Sequence, residues 1–130
     1  MFEADERYLF DLDQVVELTP RATAEVASAA YKHAEAKAKS LRTKRDLKQA
    51  EARTYLALRE EMTMSGSKPT EATLNAMVTT HPDVVFAEEL YIEAECEYQL
   101  MKAELDSLAD RAMGMKVLTS YVKKQIDAGL

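Results

Sequence analysis

Apolar residues in the second half of the chain recur at alternating steps of four and three. Ala87, Tyr91, Ala94, Tyr98, Met101, Leu105, Leu108, Ala112, Met115, Thr119, Val122 and Ile126 form an a/d seam held for more than five heptads. That is the pattern of an α-helix lying along another helix, as in a coiled coil. Phe86, Leu90, Leu118 and Tyr121 widen the seam, so this helix carries more apolar width than one partner covers. The first half patterns less cleanly. Val26, Ala30, Leu41, Leu47, Tyr55, Leu58 and Met62 suggest a stripe, but Lys37, Lys44 and Lys48 interrupt it, so this helix is not dry along its whole length.

Punctuation predicts the boundaries. Thr19-Pro20 reads as a helix start, because threonine caps free amides and proline fits the first helical position. Neither Gly nor Pro follows until Ser65-Gly66-Ser67-Lys68-Pro69, which predicts a helix over 20–64. Thr70 caps a short helix over 70–79. Thr80-His81-Pro82-Asp83 then restarts the chain, with proline at the first helical position and an acid in the first turn. The second long helix is predicted over 82–127, with Gly114 tolerated inside and Gly129 closing the end. Residues 1–19 form an N-terminal arm whose stretch from Tyr8 to Leu18 suits an extended segment, a short strand or a weak helix. The expected architecture is all-α: one domain, 1–130, with two long antiparallel helices in a coiled-coil-like hairpin, a short connecting helix and the arm.

Composition agrees. Three Gly, three Pro and no Trp in 130 residues that are 47% hydrophobic favour helix over sheet. A net charge of -6 argues against a protein that coats nucleic acid through overall positive charge. The total hides a segregation, however. From Lys32 to Arg59 nine basic residues face three acids, a local net of +6, and from Asp83 to Asp110 nine acids face Lys102 alone, a local net of -8. Folding the hairpin is expected to set residues 37–53 opposite roughly 95–111, where Glu95, Glu97, Glu104, Asp106 and Asp110 would neutralise part of the basic segment. Arg42, Lys44, Arg45, Lys48 and Arg53 point to several sides of the helix, too many for one acidic neighbour, and the remainder would make a groove for a phosphate backbone.

Nothing in the sequence gathers a catalytic constellation. A carboxylate-bridged metal site in a bundle needs Glu-x-x-His pairs, and neither His33 nor His81 has a Glu three residues before it. Glu89, Glu93 and Glu97 form an i, i+4 row, which reads as a solvated face. His81 before Pro82 reads as a turn or cap residue, and Cys96, in an acidic stretch, as a small packing residue rather than a nucleophile. Tyr31, Tyr55, Tyr91, Tyr98 and Tyr121 have the chemistry to stack on single-stranded bases, though each fits a helix seam better. No glycine-rich phosphate loop is present. The expectation is a non-enzymatic protein with no cofactor and no metal. A single cysteine suits a reducing cytoplasm, no apolar run approaches the ~20 residues of a membrane span, and the opening MFEADERYLF lacks the segments of a signal peptide.

The layout resembles the UvsY-type recombination mediators of tailed bacteriophages, over almost the whole chain. The resemblance lies in the arm around Tyr8 to Leu18, a long first helix with Glu51-Ala52 and Leu58-Arg59 before Ser65-Gly66, and the Lys68-Pro69-Thr70-Glu71 opening of a short helix. An Asp83-Val84 start and Asp110-Arg111 in the last helix complete it. It implies a helical hairpin that assembles into a ring-like homo-oligomer, binds single-stranded DNA, and helps a RecA-type recombinase displace single-strand-binding protein in the cytoplasm of an infected bacterium. It also implies DNA contact near the end of the first long helix, at the position of Arg59, with Arg53 one and a half turns earlier. This chain departs from the family where a second basic residue is expected beside Arg59, since Glu60 and Glu61 follow.

The expected DNA-binding set is therefore Arg42, Lys44, Arg45, Lys48, Arg53 and Arg59. The expected oligomer interface is Phe86, Leu90, Leu118, Tyr121 and Val122, in the last helix. A second class of function is a small acidic helical adaptor or inhibitor that works through protein contacts with a DNA-mimicking face from Glu88 to Asp110. A third, a carboxylate metalloenzyme, lacks its histidine ligands.

Overall fold

The computed structural model describes residues 12–128, which form three helices: α1 (Leu12–Met64), α2 (Glu71–Thr80) and α3 (Pro82–Asp127). The fold is all-α, with the two long helices packed against each other and no strand among the described residues. No helix of the described chain is long and apolar enough to cross a membrane.

The junctions follow the local chemistry. α1 ends in a Schellman turn: Gly66 takes φ 81°, the Ser67 amide donates to the Met62 carbonyl at 3.0 Å and the Gly66 amide to Thr63 at 3.1 Å. The left-handed conformation explains the glycine, which alone adopts it without steric penalty. Thr70 caps α2, its hydroxyl accepting from the Thr73 amide at 3.2 Å. His81 joins α2 to α3. Its own amide donates to Val78 at 3.1 Å, and its Nδ1 accepts from the Asp83 amide at 3.2 Å, so one residue closes one helix and caps the next, as its place before Pro82 suggests.

Two compact units can be described. The first comprises residues 34–99. Its α1 face repeats Ala36, Ser40, Thr43, Leu47, Ala50 and Thr54, all buried or half-buried, and its α3 face repeats Val84, Ala87, Tyr91, Ala94 and Tyr98 likewise. Leu74 and Val78 of α2 are buried with them. The second comprises the chain up to residue 33 with residue 100 onward. There Ala22 and Ala29 are buried and Val26 and His33 half-buried, with Met101, Leu105, Leu108, Ala112, Met115 and Thr119 half-buried and Val122 buried on α3. Every α3 seam position except Ile126 thus turns inward.

Four expectations need correction. α1 begins at Leu12 and carries Pro20 inside it, so residues 12–19 are helix, and the rest of the arm lies outside the described residues. Proline deletes one i to i−4 bond and crowds one carbonyl, at a cost of ~3 kcal/mol, but a long cooperative helix can run through such a defect. The inward stripe of α1 is the small-residue series above, not Ala30 and Leu41, and Leu41 is 59% exposed. The pairing level differs too. Ser40 donates to Glu95 at 2.6 Å and Lys39 meets Glu97 at 3.4 Å, which sets residues 37–53 opposite about 83–99 rather than 95–111. The cause is the connection between the long helices, which returns along α1 before α2 begins, since Glu71 at the start of α2 already accepts from the Tyr55 hydroxyl at 2.8 Å, so α3 starts level with Arg53 and Thr54 instead of at the tip. Finally, Cys96 is exposed, because it falls between Ala94 and Tyr98 on the outward side of the heptad.

The Ser40–Glu95 pair carries a pH signature. Hydrogen bonds from Ser40 and from Gln99, with Lys44 nearby, hold the Glu95 carboxyl below its ordinary value of 4.5. A depressed carboxylate contributes stability that is present above the unfolded value and is lost as pH falls through the folded one. Comparing urea midpoints of the parent and Ser40→Ala from pH 7 to pH 2 should therefore show a gap that is constant at neutral pH and shrinks below about pH 4.5. A gap that widens with acid would contradict the assignment.

Candidate nucleic-acid interface

All six basic residues expected to bind DNA are exposed. At 100° per residue they divide between two flanks of α1. Lys44, Lys48 and Arg59 lie on one flank, joined there by Lys37, and Arg45 stands on the outer face between the flanks. Arg42 and Arg53, eleven residues or three turns apart, lie on the other flank. The helix thus gathers a basic row at Lys37, Lys44 and Lys48 that runs on to Arg59, and it does not unite all six residues.

Neutralisation within the chain is slight. Among the described residues the single ion pair of a lysine or arginine is Lys39–Glu97, between half-exposed groups, and such a pair contributes only ~0 to 1 kcal/mol. Lys44 stands close enough to Glu95 to help depress its pKa. Arg59 is engaged differently. The Tyr55 phenol is pushed above its ordinary value by its hydrogen bond to Glu71, with burial and the Glu71 charge adding to this, and Arg59 beside it pulls the other way.

The Arg42–Arg53 flank opens onto a cleft of about 550 Å³ in the unit of residues 34–99. Its floor includes Ala50, Leu58, Phe86 and Leu90, and Asp46, Arg53, Glu61 and Asp83 stand around it. Phe86 is 63% exposed. Sequence reasoning missed this cleft because its two walls come from helices paired at another level. It named only Tyr121 of an outward face near the end of α3, where Lys116, Val117, Ser120, Tyr121 and Lys124 line a shallow depression. That face was legible as two i, i+4, i+8 rows, Met113–Val117–Tyr121 and Lys116–Ser120–Lys124.

Of the expected interface residues, Phe86, Leu90 and Tyr121 are exposed and Leu118 is half-buried. Val122 is 9% exposed, taken up by the chain's own packing at an a/d position, so it is withdrawn from the outer surface. Among the described residues no group of three or more His, Cys, Asp or Glu side chains is arranged to hold a metal ion. Compared with protein-family models, curated proteins and solved structures, the chain matches none.

Proposed function

We propose that this protein is a non-enzymatic recombination mediator of the phage type: a homo-oligomer that binds single-stranded DNA and helps load a RecA-type recombinase onto strands covered by single-strand-binding protein, in the cytoplasm of an infected bacterium. The observation that supports this reading is the exposed row Lys37, Lys44 and Lys48, of which Lys44 alone has a carboxylate near it, Glu95, and none stands in an ion pair among the described residues, in a chain of net charge -6. A protein of that overall sign that keeps one helix flank basic and open offers a phosphate backbone a local track. The biology of loading rests on the family resemblance and carries the weight of an analogy.

The test is salt-dependent binding of a labelled oligonucleotide, read by fluorescence anisotropy. Lys44→Glu with Lys48→Glu should weaken binding to all sequences alike and reduce the slope of log K against log salt by about 1.4, at ~0.7 for each single-strand phosphate that is no longer neutralised. The pair Arg42→Glu with Arg53→Glu, on the other flank, should change it less. Parent-like binding by the first variant would move the site off this row.

One observation favours an acidic, DNA-mimicking adaptor instead. Glu88, Glu89, Glu93 and Glu97 of α3 are exposed, and of these only Glu97 has an ion-pair partner among the described residues. A DNA mimic should not bind DNA, so the same titration decides between the two readings.

A further inference from the structure

We infer that copies of this chain join head to tail, the Lys-flanked apolar rows near the end of α3 of one copy seating in the acid-rimmed cleft of the next. The inference rests on the homo-oligomer reading above and specifies which surfaces meet. Each surface lacks something that the other supplies. The cleft of about 550 Å³ exposes Phe86 and Leu90 and is rimmed by Asp46, Glu61 and Asp83 against Arg53, with His81 beside Asp83. The α3 face exposes Met113, Val117 and Tyr121 with Lys116 and Lys124 beside them, and no acid occurs between Arg111 and Ile126.

An apolar row at i, i+4 and i+8 is how a helix anchors in a groove. The carboxylates at the rim would meet the ammonium groups flanking that row, which fixes the partner's orientation and disfavours like-charged faces. Two copies of the α3 face would instead set Lys116 and Lys124 against each other, and two copies of the cleft would set carboxylate against carboxylate. The surfaces are complementary and not self-complementary. A heterologous contact of this kind leaves one cleft and one row unfilled at the ends, so assembly continues until it closes into a ring or grows as a filament.

Because all four anchor positions are exposed, they can be made polar without disturbing the core. Phe86→Gln with Leu90→Gln removes the apolar floor of the cleft and leaves the row intact, whereas Val117→Glu with Tyr121→Glu blocks the row and leaves the cleft intact, and the acid rim of the first variant repels the glutamates of the second. Full-length proteins are compared by size-exclusion chromatography with light scattering, with helicity and melting checked to be parent-like. Each variant alone should be monomeric where the parent is oligomeric. An equimolar mixture should give a 1:1 heterodimer that grows no further, since only one productive junction remains, and raised salt should weaken it. A folded variant that still assembles like the parent, or a mixture that fails to pair, overturns this contact and leaves the oligomer reading standing. A monomeric parent removes both.

Discussion

Replacing Leu74 by alanine should lower the unfolding free energy by about 2–5 kcal/mol, the largest loss expected from truncating one side chain among the described residues. Leu74 is 2% exposed and is the largest fully enclosed side chain described. It belongs to α2, whose ten residues are too few to hold a helix in water by themselves, so the helix depends on what Leu74 and Val78 bury. The Thr70 cap contributes ~1 kcal/mol, and the exposed Tyr55–Glu71 bond adds little to that. Removing the isobutyl group leaves a cavity beside a helix with few other anchors. Urea unfolding followed by circular dichroism measures the loss. A change below about 1 kcal/mol would mean that the site collapses around alanine or that α2 is held by something other than its apolar face.

The second large effect comes from adding volume. Ala94 is 1% exposed and precedes the Glu95 that bonds Ser40, so its methyl is enclosed at the level of the buried Ser40. Ala94→Phe should destabilise by about 1–3 kcal/mol or more through overpacking. Ala103→Phe, on an exposed turn of the same helix, should stay within about 0.5 kcal/mol. Thermal melts of both variants make the comparison, with helix propensity nearly cancelling between them. Equal effects at the two sites would show that the seam has room to spare.

The contrast between these alanines explains how much of the fold could be read in advance. The seam of α3 was legible because Tyr, Met and Leu occupy its a and d positions, so periodicity and burial coincide. The seam of α1 was half hidden because Ala, Ser and Thr hold most of it, with Val26 and Leu47 among them, while Leu41, Leu56 and Tyr31 sit outside. A hydrophobicity pattern cannot distinguish an alanine chosen for close approach from one chosen for helix propensity. The ends of the helices were legible wherever glycine, proline and threonine carry the chemistry, as at Gly66, Thr70 and Pro82. Pro20 misled for the same reason, since a proline that suits a first turn can also be carried inside a helix. The pairing level was not legible, because it depends on how far the connection between the long helices returns along α1. That error displaced the acids assigned to each basic residue. Whether the basic segment is neutralised by α3 or left open was not legible either, and the separation of the lysine row from Arg42 and Arg53 needed the inward face to be known.

The small-residue face of α1 also bears on how the chain avoids folding out of step. Ala22, Ala29, Ala36 and Ala50 are spaced in multiples of seven, so along this row a slide of one heptad presents α3 with the same methyl groups, and the row by itself gives the two helices little reason to prefer one alignment. Glu95 supplies the reason. At the observed level its carboxylate accepts from Ser40, but a slide of seven in either direction sets it against Leu47 or His33. At Leu47 the half-buried carboxylate keeps Gln99 of its own helix but loses its donor from the facing helix, and at His33 a bulky ring stands where the small serine fits. A polar group at one seam position can in this way specify alignment at little gain in stability. Ser40 and Glu95 thus act less as a rivet than as a vernier, reading one alignment off a nearly uniform scale.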